Sequence, residues 1–81
     1  MKGILLEAKY IEEAQSVLLL VDGEHGKFRS QVHRDEVATF GDRTEEEINV
    51  EMQKYVFLLN KIYRNKEIDV KVEQVAAYSD I

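Results

Sequence analysis

The sequence predicts a small single-domain α+β protein, built as a short antiparallel sheet or a partly open barrel with one amphipathic helix. Three observations predict this class. Residues 3–33 contain three segments with the alternation or the apolar run of β-strands. A segment of helical periodicity follows at residues 45–64, and another alternating segment begins at residue 66. A meander of strands followed by one helix and a last strand is an α+β arrangement.

Composition supports a folded chain and limits its function. The chain has 81 residues, of which 44% are hydrophobic, so we expect one packed domain at residues 1–75 and a C-terminal tail at residues 76–81. The absence of cysteine excludes disulfides and thiolate metal sites, and a small domain without disulfides is expected in the cytoplasm. The longest apolar run, VLLLV, is too short to cross a membrane.

The first two predicted strands precede a glycine-containing hairpin loop. In GILLEAKYIE every second residue forms a mostly apolar set, namely Ile4, Leu6, Ala8 and Tyr10. After a connection at EEAQ, SVLLLVD has five consecutive apolar residues, which favours a strand covered on both faces. The loop DGEHG follows, because glycine reaches positive φ without steric cost.

The third predicted strand, KFRSQVH, has one apolar face and one basic face. Phe28, Ser30 and Val32 alternate with the outward row Lys27, Arg29, Gln31 and His33. In the following connection, RDEVATFGD, we expect Val37 and Phe40 to enter the core.

The helix start is indicated by a capping box. Thr44 is placed to accept from the backbone of Glu47, whose side chain reaches back to Thr44. Lys61 and Arg64 suit the negative end of the helix dipole, and Asn65 suits the left-handed conformation that ends helices.

The helix has more apolar residues than one face requires. We expect a core-facing stripe made of Ile48, Met52, Tyr55, Leu59 and Ile62, widened by Val56, Leu58 and Tyr63. Phe57 and Val50 lie on the opposite face, and four polar residues surround them: Gln53, Lys54, Asn60 and Lys61.

The last predicted strand is KEIDVKVEQ, with Ile68, Val70 and Val72 facing inward. The tail VAAYSDI either extends the sheet, docks on a partner or frays. The resulting order is similar to that of the oligonucleotide- and oligosaccharide-binding barrel, whose helix also lies between the third and fourth strands. The resemblance is one of topology and includes no motif.

These features predict a small, non-enzymatic binding protein with an accessory, inhibitor or adaptor role. The expected contact surface is Val50, Lys54, Phe57 and Lys61, with a second copy of the chain or another protein as partner. One alternative is a barrel-like domain that binds a nucleotide or single-stranded nucleic acid through Lys27, Arg29, Gln31 and His33. Another is an oligomer that sequesters a small ligand between subunits.

We expect no catalytic residue, metal or cofactor. No serine stands in the strained turn with an ordered base that activates it, and capping explains the acidic cluster EEE. His25 and His33, with neighbouring carboxylates, lack the spacing of a zinc site or a calcium loop.

Overall fold

The computed structural model describes the backbone of residues 1–78 and the side chains of residues 1–75. Five strands form one sheet in the order β4-β1-β2-β3-β5, and each neighbouring pair is antiparallel. The elements, in chain order, are β1 Lys2–Ile11, β2 Ser16–Gly23, β3 Gly26–His33, α1 Arg34–Val37, α2 Glu45–Tyr63, β4 Glu67–Asp69 and β5 Val75–Tyr78. The predicted class is confirmed: the sheet curls into a partly open barrel, and α2 packs on it.

The residues of β1 that face the core change phase at a β-bulge. Its register with β2 shifts after Leu5, so Leu6 is the extra residue. Leu5 is buried before the bulge, Ala8 and Tyr10 are buried after it, and Ile4 is exposed. The predicted strand is confirmed, but its apolar set does not lie on one buried face, because a bulge exchanges the two faces of a strand. A bulge also increases local twist, which helps the sheet to curl.

The hairpin between β2 and β3 is confirmed at the predicted loop. Gly23 pairs with Gly26, and the loop residues between them are Glu24 and His25. Gly26 has a φ of 121°, which L side chains rarely adopt. Gly23 is needed for space, because a Cβ atom there would lie 2.8 Å from the ring of Phe28.

Helix α2 begins and ends close to the predicted residues. The Glu47 N–H donates to Thr44 Oγ1 at 3.2 Å, and the Thr44 N–H donates to Glu47 Oε1 at 3.2 Å. Asn65 follows the helix with a φ of 66°. The capping box and the left-handed end are thus both confirmed.

The side chain of Asn60 continues the hydrogen bonding of β1 beyond its pairing with β4. That pairing covers Lys2 to Ile4 only. Further along, the Ala8 N–H donates to Asn60 Oδ1 at 2.8 Å, and Asn60 Nδ2 donates to the Ala8 carbonyl at 3.0 Å. A side-chain amide has the donor and acceptor of a peptide group, so it satisfies both. The prediction that Asn60 belongs to the rim around Phe57 is wrong.

This contact also sets which face of α2 is buried. The helix buries Ile48, Met52 and Val56 against the sheet, with Leu59 half-buried. The prediction that Tyr55 and Ile62 pack in the same stripe is wrong, since both are exposed. With Asn60 directed at β1, the helix is rotated so that this side of the stripe turns away from the core.

Buried side chains form two clusters on the inner face of the sheet. The larger one lies under α2 and contains Ala8, Tyr10, Val17, Phe40, Ile48, Met52 and Val56. The smaller one contains Val21, Phe28 and Val70. Phe40 therefore enters the core as predicted, and Val37 packs against it partly buried. Leu19 contacts both clusters and joins them.

Strand β4 is shorter than predicted because its partner strand, β1, begins only at Lys2. The Val70 N–H donates to the Met1 carbonyl at 2.7 Å, just before β1 begins at Lys2. The chain then forms a turn of 3₁₀-helix at Val72–Gln74, and Val72 is exposed. The predicted strand at residues 66–74 therefore ends at Asp69. The inward position of Val70 is confirmed, and that of Val72 is wrong.

The predicted tail contributes to the sheet. Val75–Tyr78 forms β5 and pairs with β3, which is one of the three outcomes that the sequence left open. Residues 79–81 lie outside the described residues.

Candidate functional site

The outer helix face, defined as Val50, Lys54, Phe57 and Lys61, is exposed. Phe57 is 66% exposed and Val50 is 54% exposed. Val50, Lys54 and Phe57 line one shallow surface recess, with Glu12 from the turn after β1 in its lining. Lys61 lies one turn further along and outside this recess. The structure thus brings three of the four predicted contact residues together.

The surplus of apolar residues is concentrated on α2. Among the described residues, eight large apolar side chains are exposed, and six belong to this helix. These six are Val50, Tyr55, Phe57, Leu58, Ile62 and Tyr63. They extend from the outer helix face round to the open side of the barrel, so the exposed apolar surface of α2 is wider than the outer helix face alone.

The charges of α2 are separated along its axis. Glu45, Glu46 and Glu47 occupy the first turn, and Lys61 lies in the last. Arg64 and Lys66 follow the helix and are exposed. The ends of the outer helix face therefore have opposite charge, in the sense that the helix dipole favours.

The side chains of the basic row on β3 face the outer side of the sheet, as predicted. Phe28 and Ser30 are buried, whereas Lys27, Arg29, Gln31 and His33 face the other side of the sheet. Lys9 pairs with Leu18, which pairs with Gln31, so Lys9 lies on the same face.

Carboxylates on this face offset its positive charge. Glu7 pairs with Leu20, and Leu20 pairs with Arg29, so Glu7 and Arg29 lie on the same face with one strand between them. Asp22 pairs directly with Lys27. His33 Nδ1 lies 3.5 Å from Asp35 Oδ2. Tyr10 is buried on the inner face, so its ring is not available on this face to stack on a base. Nucleotide binding through this row stays a prediction.

A second recess lies inside the open barrel. It has a volume of about 210 Å³, and its lining is mostly apolar. Leu5, Val17, Leu19 and Val32 line it from the sheet, and Tyr55, Leu59 and Tyr63 line it from α2. Ser30 also lines it, is 0% exposed, and its Oγ has no hydrogen-bond partner among the described residues.

Arg34 joins three elements next to the start of α2. Its guanidinium donates two hydrogen bonds to the Glu45 carboxylate, at 2.9 and 2.6 Å, and a longer one of 3.4 Å to the Tyr10 hydroxyl. The hydrogen bond from Arg34 lowers the pKa of Glu45. The same hydrogen bond to Glu45 raises the pKa of Arg34. In this cluster both charges are paired through the Nη1 and Nη2 atoms of Arg34, whereas Arg34 Nε is buried without a partner among the described residues.

Arg34, Ser30 and Asn60 have specific positions in the fold that the sequence did not predict. Ser30 could have been singled out from the sequence, because the alternation places its hydroxyl on the apolar face between Phe28 and Val32. A hydroxyl there must find a hydrogen-bond partner or remain unsatisfied. Asn60 and Arg34 could not have been singled out, because their partners are 52 and 11 residues away.

Among the described residues, no helix has the length and apolarity that a membrane crossing requires. Within the same part of the chain, no three histidine or acidic side chains converge as a metal site would require. The comparisons with known proteins add no family to this description: no family model, no curated protein and no solved structure matches the chain.

Proposed function

We propose that the protein is a small non-enzymatic binding protein that acts through the outer helix face, and that its partner there is a second copy of the chain. The observation that carries the proposal is the exposure of Phe57 and Val50 on a helix whose other face already fills the core. Aromatic side chains with polar neighbours are typical anchors of protein contacts.

The recess around Phe57 supports a contact of defined shape. Val50, Phe57 and Leu58 supply its apolar lining, and Lys54 and Glu12 supply charged groups of both signs. An apolar centre with charged neighbours is the usual anatomy of a protein interface.

The charge separation along α2 favours a second copy as the partner. In a two-fold dimer whose axis is perpendicular to α2, the outer helix faces pack antiparallel, and the first turn with Glu46 and Glu47 faces the last turn with Lys61 of the other copy. Opposite charges and opposite helix dipoles then meet at both ends. Two-fold homodimers are the commonest assemblies, and a domain of this size gains stability by associating.

The first test is the solution mass measured by light scattering at low and high salt. We expect a mass of twice 9.4 kDa under both conditions, because the centre of the contact is apolar and salt screens only its charged ends. Phe57→Glu should give the monomer, since it places a charge where the two copies meet.

Val72→Glu is the matched control. Val72 is 66% exposed, as Phe57 is, but it lies in the turn between β4 and β5. This variant should remain a dimer with the circular dichroism spectrum of the wild type. A wild-type monomer at both salt concentrations, or equal masses for Phe57→Glu and the wild type, would refute the proposed dimer.

A further inference from the structure

We infer that the recess inside the open barrel binds a small aromatic molecule, of about phenol to indole size, with one hydrogen-bonding group directed at Ser30. This site lies on the other side of α2 from the outer helix face. The inference goes beyond the proposed dimer and does not depend on it.

Ser30 supplies the first argument. Its side chain is completely buried on the central part of β3, and its Oγ has no partner among the described residues. Burying a hydroxyl without a hydrogen bond is unfavourable, so such groups usually meet a protein atom, a water or a ligand. The hydroxyl both donates and accepts, so once a rotation about χ1 turns it from its buried position toward the recess, it suits an alcohol, a phenol or an N–H group equally.

The surroundings of Ser30 favour a ligand over water alone. Val17, Leu19 and Val32 line the same recess from the sheet with apolar side chains. The charged and amide side chains of the lining, Asp69 and Gln74, are already bound to the Met1 amino group and to Glu36. An ordered water at Ser30 would therefore lack the polar partners, about two to four, that it needs. A molecule with an apolar body and one polar group matches both the lining and the hydroxyl.

The size and the rim of the recess narrow the class of ligand. A cavity of about 150 Å³ is known to accept benzene, so one of about 210 Å³ has room for a ring with a substituent or a second fused ring. Tyr55 and Tyr63 line the recess from α2 and remain partly exposed. Tyrosine rings pack edge-to-face or offset against other rings, which favours an aromatic ligand.

The same geometry explains why Tyr55 does not pack in the core as the sequence suggests. The rotation of α2 that Asn60 sets leaves Tyr55 beside the recess instead of above the larger buried cluster, and Tyr63 lies beside the recess as the last residue of α2. Their apolar rings then have no protein surface that covers them fully, and a bound ring would complete their contacts.

The test is a pair of titrations monitored by ¹H–¹⁵N correlation spectra, with phenol and toluene as probes. They are similar in size and differ in the hydroxyl. We expect both to shift the amide signals of residues that line the recess. In Ser30→Ala the ratio of phenol affinity to toluene affinity should fall by about fivefold, the usual effect of one hydrogen bond. An unchanged ratio would overturn the role of Ser30.

Two further variants separate the recess from the rest of the sheet. Leu19 lines the recess and Leu20, the next residue on β2, faces the opposite side. Leu19→Phe should narrow the recess and abolish the binding of both probes, whereas Leu20→Phe should bind both as the wild type does. Binding that survives Leu19→Phe in a folded protein would overturn the site.

The stability of Ser30→Ala gives a readout that does not depend on the probes. Because the Ser30 hydroxyl has no partner among the described residues, its removal should leave the melting temperature unchanged or raise it. A fall of several degrees would show that the hydroxyl has a structural partner and would overturn the inference. So would the absence of any shift in the wild type, or shifts confined to the amides around Phe57.

Discussion

At the residue scale, the clearest electrostatic feature is the pairing of Arg34 with Glu45. The Arg34 side chain is 9% exposed and the Glu45 side chain is 62% exposed, so solvent screens one side of the pair. Removing Glu45 would leave the buried guanidinium with only its long hydrogen bond to Tyr10. Leaving a buried charge without its partner is unfavourable, so the contact ties α1 to the start of α2.

This pair makes a defined contribution to acid stability. The pKa of Glu45 is lowered because its carboxylate accepts hydrogen bonds from Arg34. The stabilisation is therefore fully present above the ordinary glutamate pKa of about 4.3 and is lost as the pH falls through the lower, folded value. We expect the difference in unfolding free energy between the wild type and Glu45→Gln to be constant from pH 7 to pH 5 and to shrink below about pH 4.

The matched control for this prediction is Glu46→Gln. It removes the same charge from the same helical turn without touching Arg34. It should cost less stability than Glu45→Gln at pH 7, as measured by urea denaturation. Equal costs for the two variants would show that the helix dipole, and not the Arg34 contact, accounts for the effect.

The roles of some single residues were predictable from the sequence, and those of others were not. Thr44, Glu47 and Asn65 act within a few residues of themselves, and their roles were predictable for that reason. Asn60 and Arg34 act on groups that only the folded chain brings near. A solvent-exposed amide and an amide bound to a strand look the same in a sequence.

At the element scale, the three-stranded meander and α2 were predictable because each has a long periodic pattern. The bulge in β1 was not, because the alternation from Ile4 to Tyr10 continues without a break and nothing in it marks the change of face after Leu5. The end of β4 was not predictable either. The segment IDVKV has a strand pattern, but pairing stops where β1 runs out of residues.

The contact between α2 and β1 gives a prediction at this scale. In Asn60→Ala the N–H and the carbonyl of Ala8 lose their partner, so we expect the free energy of unfolding to fall by about 1–3 kcal/mol. Urea denaturation measures this loss. Gln53→Ala, which removes an exposed amide from the same helix, should change stability by less than about 0.5 kcal/mol. Similar losses in both variants would contradict the role of Asn60.

At the scale of the whole molecule, both sides of α2 have a role because the barrel is open. One side covers the larger core cluster and the recess, and the other side presents Phe57 to solvent. The existence of a helix with surplus apolar residues was predictable from the sequence. The recess was not, because it depends on the curl of the sheet and on the rotation of α2.

The proposed dimer predicts a melting temperature that depends on protein concentration. Partners that bind only the folded state stabilise it by mass action. For a dimer of this size, a tenfold increase in concentration should raise the melting temperature by about 3–5 °C. Differential scanning fluorimetry should show this rise for the wild type and Val72→Glu but not for Phe57→Glu. A concentration-independent wild type would argue against association.

The side chain of Asn60 has a consequence for aggregation. An unpaired strand edge is a template on which another chain can add a strand, and proteins commonly block such edges. Beyond its short pairing with β4, β1 is blocked at Ala8 by a side chain that occupies both backbone groups. A helix thus shields the edge that a short β4 leaves uncovered. Loss of this one amide would open a site for the edge-to-edge growth that leads to fibrils.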